Sequence, residues 1–308
     1  MMNRLILILF MFLSPILIAQ YSRPGSTDAQ FLKIGVSPRG TAMGDAYIAI
    51  VEGAEGTYYN AASLAWIEGT DIVFNHNFWF AGINHDFAAA AHTFDDIGTF
   101  GIAVTGLYTD EMKVRTPLQP DGTGETFYSG NYKFALSYSR FFTDRVTVGL
   151  SVGYINLSLF PGFSADAVAV DISTMYVSDF RGFKFAMQIS NFGSNVQFVN
   201  ESYPLPTNFT FGAGINVIES EVQKVLFSFA AIKPNDGQPL TQVGLEWGYD
   251  NMFFARGGYK INYDVATYSF GVGFKLGISG IGSRVDYSYS KLGILGASHR
   301  VGVGVLFE

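Results

Sequence analysis

The chain has 308 residues, of which 16% are aromatic and only 15% charged, where a soluble domain usually carries about 25% charge. It holds no cysteine, which excludes a disulfide framework, a thiolate nucleophile and any cysteine metal site. Its net charge of −7 comes without any cluster of Lys or Arg, which excludes a nucleic-acid-binding surface.

In chain order, residues 1–20 are expected to form a cleaved signal peptide. Arg4 supplies a positive start, Leu5 to Leu13 an apolar run, Ser14 and Pro15 its end, and Ala19–Gln20 a small-residue cleavage point. A run of about 14 apolar residues is too short to cross ~30 Å of hydrocarbon, and no longer one follows. With no cysteine at the cleavage point, a lipid anchor is excluded. An exported chain without a spanning helix can enter a membrane only as a closed barrel.

Residues 21–70 are rich in Gly, Ala and Ser and lack two-residue alternation. A short helix is expected between Arg39 and Val51, and a turn at Gly53 and Gly56. The segment precedes the first strand, so it is expected to start on the periplasmic side and fold into the lumen as a plug.

Residues 71–308 alternate almost throughout. Val146, Val148, Leu150, Val152 and Tyr154 share one face, and Thr147, Gly149, Ser151 and Gly153 the other. Residues 242–249, 267–276 and 300–307 repeat the pattern. Large apolar residues opposite small polar ones, with few of the Lys and Glu of a water-facing sheet, predict lipid outside and lumen inside. About fourteen such segments are expected, at 71–80, 83–94, 98–109, 131–141, 146–158, 166–178, 183–193, 208–217, 223–233, 240–249, 252–260, 267–276, 282–290 and 299–307. Odd-numbered connections are mostly long and even-numbered ones tight, as external loops and periplasmic turns are. Every proline after residue 70 falls in an odd connection. The expected fold is therefore an all-β, transmembrane, up-and-down antiparallel barrel of about fourteen strands with a short N-terminal plug, in the outer membrane of a Gram-negative bacterium.

Within 31–66, the run GVSPRGTAMGDAYIAI followed by EGTYYNAASLAW resembles the N-terminal signature of the PorV/PorQ family, a group related to FadL-type transporters of hydrophobic compounds. Gly35, Arg39, Gly40, Met43, Gly44 and Ala46 match its first part, and Tyr59, Asn60, Ala62 and Leu64 its second. Ala61 and Ser63 stand where the family has Pro and Gly. The resemblance implies a FadL-like barrel with an N-terminal plug and, in members with an assigned role, an accessory part in type IX secretion, handling cargo and other secretion subunits.

Catalytic motifs are absent: there is no G-x-S-x-G, P-loop or H-E-x-x-H. His85 and His92 lie seven apart, on opposite faces of one strand, and do not form a metal site. No enzyme activity, cofactor or metal is expected. By parity Asp171, Lys184, Glu246, Arg256, Lys260, Lys275, Arg284, Asp286 and Arg300 face the lumen. Buried charges must be paired, so these are expected to hold the plug through Arg39, Asp45 or Glu52, or else to line a substrate path. The loop 194–207 carries Val196, Phe198, Val199 and Tyr203 and is expected either to bind a partner or to pack over its own barrel mouth. Two functions follow: an accessory barrel of protein secretion, binding subunits or cargo through external loops, or a transporter of a hydrophobic ligand. Membrane lipid surrounds the barrel in both.

Overall fold

A computed structural model describes residues 23–278 and 280–307; the expected signal peptide lies outside them. Fourteen antiparallel strands form one closed barrel. They are β1 (Thr70–Phe78), β2 (Ile83–Phe94), β3 (Gly98–Thr109), β4 (Gly130–Phe141), β5 (Val146–Phe160), β6 (Phe163–Val177), β7 (Lys184–Gly193), β8 (Asn208–Glu219), β9 (Gln223–Pro234), β10 (Leu240–Tyr249), β11 (Phe253–Ile261), β12 (Tyr268–Ile278), β13 (Ile281–Lys291) and β14 (Ala297–Phe307). Each pairs with its sequence neighbours, and β14 closes on β1, with Phe78 opposite His299 and Thr70 opposite Phe307. All fourteen expected segments are strands.

The alternation sorts the faces. Ile72, Phe74 and Phe78 of β1 are exposed and point outward, while Asp71, Val73, Asn75 and Asn77 are buried inside. On β5, Val148, Leu150, Val152 and Tyr154 point out and Thr147 and Ser151 point in. The outer surface is the apolar band that hydrocarbon requires, and the closed ladder leaves no unpaired edge within it.

Two connections differ from expectation. β5 and β6 run further than the pattern indicates, so their link shrinks to a tight turn at Pro161–Gly162, where Gly162 takes φ +88°. Pro234 ends β9 opposite Asn208 rather than lying in the loop; at the terminal position its missing N–H costs no interior ladder bond.

The segment 23–69 runs through the barrel from one mouth to the other. At the loop end the Arg23 N–H donates to the Asp236 carbonyl (3.0 Å) and the Asp28 N–H to the Pro204 carbonyl (3.1 Å). At the turn end the Thr93 hydroxyl donates to the Ile67 carbonyl (2.6 Å), and the Trp66 ring stands edge-on to Phe141. The expectation that the segment begins on the turn side is thus corrected: its tail lies there, next to β1, while its head lies at the opposite mouth. Phe31 and Leu32 hold the head by burying themselves with Leu157, Val196 and Leu205.

The wall makes room for this segment with glycine. A Cβ at Gly258 would stand 1.9 Å from the Gly44 nitrogen, and one at Gly149 would stand 2.2 Å from the Ala62 nitrogen. Backbone lies against backbone at both places, and no side chain fits between. Gly258→Val should therefore destabilise the protein by about 1–3 kcal/mol through overpacking, read as a lower unfolding temperature in detergent. Gly257→Val next to it should have little effect, since the only atom near a Cβ there is one of Phe270 at 3.8 Å.

Candidate functional site

The segment begins its descent with a helix, α1 (Pro38–Ala42). Ser37 caps it, accepting from the Gly40 N–H at 3.0 Å, and Pro38 fills the first turn, where no N–H is needed. The signature residues build the turns that follow. The Tyr59 hydroxyl accepts from the Val36 and Ser37 N–H groups at 2.9 and 3.0 Å. Gly35 leaves space for Asp45, and Gly40 for the Tyr47 ring. Met43 and Gly44 sit on Gly244 and Gly258. The Ala46 carbonyl accepts from the Ser228 hydroxyl at 2.5 Å. Asn60 donates to the Ile48 carbonyl at 3.0 Å and accepts from the Ala62 N–H at 3.0 Å, so this side chain shapes the turn at Ala61 and Ser63. Leu64 is buried against Val73 and Phe87.

Ion pairs tie the segment to the wall. Arg39 forks onto Glu246, with both bonds at 2.9 Å, and reaches Glu52 at 2.7 Å. Glu246 also accepts from Arg256 at 2.5 Å, and Arg256 continues to Asp286 at 2.5 Å. Glu52 is shared with Lys275 at 3.3 Å and Lys184 at 3.9 Å. Lys260 pairs with Asp45. Arg284 forks onto Asp71, which also accepts from the Ala54 N–H at 2.7 Å. Asp171 pairs with Lys133 at 3.0 Å and fixes a β-bulge in β7 by accepting from the Asn191 N–H at 2.5 Å. Arg300 is the exception among the nine lumen charges: it is buried and has no carboxylate partner.

Asp71 and Lys133 share the parity of the lumen charges, and alternation alone could have found them. Lys33 and Asp236, paired at 2.6 Å across the loop-side mouth, carry no such signal. The candidate partner surface on 194–207 divides. Val196 is buried and Phe198 packs beside it, which corrects their assignment to a surface; they cover the mouth over Phe31 and Leu32. Val199 and Tyr203 are exposed. His85 faces the lumen, and His92 lies on the other face against the Thr70 hydroxyl. Among the described residues no cluster of His, Cys, Asp or Glu could hold a metal ion.

Cavities remain at both ends of the lumen. Two of ≈200 and ≈210 Å³ lie toward the loops and share Lys33, Gly35, Asp45, Lys260 and Tyr263. One of ≈540 Å³ lies toward the turns, between Arg39, Tyr47, Glu52, Asp71, Lys275 and Arg284. Residues 38–51, held by Arg39 and by Met43–Gly44, separate the two ends.

Removing Arg39 leaves Glu246 and Glu52 short of a partner. Arg39→Ala is expected to cost about 3 kcal/mol or more, with faster hydrogen exchange over residues 38–51 and a raised ion conductance in planar bilayers. Asp236 gives a pH dependence. Burial pushes its carboxyl upward, but hydrogen bonds from Lys33 and Thr27 outweigh this and hold it below the ordinary range. A depressed carboxyl stabilises the fold above its unfolded value of about 3.9 and loses that effect as pH falls further. The segment's head should stay docked from pH 5 to 8 and loosen below about pH 4, read as exchange of residues 23–33.

No family model matches the chain, and no curated protein matches it in sequence. Its fold is similar to that of the toluene transporter TbuX of Ralstonia pickettii, with TM-score 0.59 at 14% identity over 89% of this chain and 99% of the other. The toluene transporter TodX of Pseudomonas putida gives TM-score 0.59 at 12% identity over 88% and 97%. A FadL homologue of Pseudomonas aeruginosa gives 0.54 at 8% identity over 88% and 98%. At these identities the likeness is one of fold: a closed fourteen-stranded barrel similar to those of these proteins.

Proposed function

We propose that the chain is a non-enzymatic channel that passes hydrophobic small molecules across the outer membrane. The observation that carries this reading is the presence of cavities at opposite ends of one lumen, with the N-terminal segment between them. The loop-side cavities set apolar and aromatic residues, including Leu32, Ile48, Tyr58, Trp79 and Tyr263, among paired charges such as Lys260 and Asp45. An apolar solute gains by leaving water for such walls. It would then reach the turn-side cavity when residues 38–51 shift. The fold shared with proteins described as toluene transporters agrees with this reading.

The secretion role rests on the signature resemblance and on apolar loop tips such as Leu118 and Ile294, which stand almost wholly in solvent. No comparison adds to it, and it ranks second. Replacing the exposed pair Val199 and Tyr203 by serine should abolish capture of secretion subunits if that role holds, and leave uptake untouched.

Transport is tested in Gram-negative cells expressing the chain, by uptake of radiolabelled toluene. The chain has no native cysteine, so Met43→Cys with Gly244→Cys forms a single possible bridge; a Cβ at Gly244 would lie 2.9 Å from that of Met43 and 2.5 Å from its carbonyl oxygen, so the two join once residues 43–44 back off the wall by roughly an ångström, which gives the spacing a disulfide needs. Uptake by the reduced pair should exceed that of empty cells and fall to background on oxidation. Equal uptake with and without the chain would overturn transport, and uptake unaffected by oxidation would overturn the route through the lumen.

A further inference from the structure

Arg300 is 3% exposed. Its Nη1 donates to the Ser298 hydroxyl at 3.0 Å and more weakly to the Ser290 hydroxyl at 3.5 Å. Its Nε has no acceptor. Every other lumen charge named by parity has an opposite charge within 4 Å. Arg300 also sits in a row. Across four neighbouring strands, Ser288, Arg300, Asn77 and His85 stand directly opposite one another on the inward face. Each has a buried polar atom without a partner: Ser288 Oγ, Arg300 Nε, Asn77 Nδ2 and both ring nitrogens of His85. These are five of the six such atoms among the described residues. Unpaired buried polar groups are costly and rarely scattered at random, and Arg300 is the member of this row that borders a cavity.

Arg300 opens onto the ≈210 Å³ loop-side cavity. That wall carries Lys33, Lys260 and Arg300 with the carboxylate Asp45; Lys33 is paired with Asp236 and Lys260 with Asp45, which leaves Arg300 as its uncompensated cation. Trp79 covers the guanidinium, 5.4 Å from the ring centroid, and with Ile34 and Leu292 supplies an apolar lining. An apolar cavity of ~150 Å³ holds one benzene ring, so this one has room for a single ring and a small head group.

We propose that Arg300 binds the carboxylate of a small aromatic acid that enters from the loop side, with its ring against Trp79. The guanidinium fork suits a carboxylate, and Trp79 offers the acid's ring a face in the same cavity. This rests on the transport reading in that the acid would be a solute of the same route, but the binding step stands apart from passage.

The test is equilibrium binding of benzoate to the full chain in detergent, followed by tryptophan fluorescence and calorimetry, with benzamide as the neutral ligand of the same shape. Benzoate should bind about tenfold or more tighter than benzamide. Arg300→Gln should remove the preference, and Arg300→Lys should keep part of it. Equal binding of benzoate and benzamide to the unaltered chain would overturn the proposal whatever the variants do, and would give Arg300 a purely structural place beneath Trp79. Toluene uptake without a benzoate preference would sink the anion site and leave transport standing. A benzoate preference without toluene uptake would do the reverse.

Discussion

A fourteen-stranded barrel encloses more space than its own inward side chains can fill, and the rest of this structure answers that constraint. The wall supplies small residues inward, and a segment of separate chain occupies the space they leave. Because α1 and the turns after it lie with their backbone on the wall, glycines such as Gly149 and Gly258 are required where the two main chains meet. Large inward residues would fill the lumen more simply but would leave nothing that could move.

Glycine contacts alone would let the segment slide. Its register is set instead by charge, since Arg39 meets Glu246, Asp45 meets Lys260 and Glu52 meets Lys275 at spaced levels of the wall. Buried ion pairs add little net stability over apolar packing. Their use here is to make one position of the segment far better than its neighbours, because a shift would leave several charges unmatched together. The Asp171–Lys133 pair does the same for the wall, holding the β7 bulge where the ladder with β6 changes register.

Much of this was legible in the sequence. Alternation of the kind seen from Val146 to Tyr154 carries both the strand and its two faces, and parity alone puts Glu246, Arg256 and Asp286 on one side. What parity cannot carry is which wall meets which part of the segment. Lys33 and Asp236 are 203 residues apart, and neither lies in a periodic run. Val196 reads as an exposed loop residue because nothing local shows Phe31 and Leu32 beneath it. The row from Ser288 to His85 depends on β14 pairing with β1, a closure between the two ends of the barrel sequence. The head of the segment escaped for a related reason: adjacency to β1 fixes only its tail.

The path of that segment has a consequence for how the molecule is assembled. Chain from residue 23 enters at the loop-side mouth, passes down the axis and turns directly into β1, whose other edge is the seam with β14. The lumen is thus occupied by the stretch of chain immediately upstream of the first strand, whose partner across the seam is the last, and loops 194–207 and 235–239 lie over its head. A finished cylinder would have to admit this strand end-on, through two guarded mouths. A sheet still open at the β1–β14 seam can instead wrap around it sideways. Closure of the cylinder and seating of its contents are then one event, and the late pairing of its most distant strands becomes the moment at which the interior is loaded.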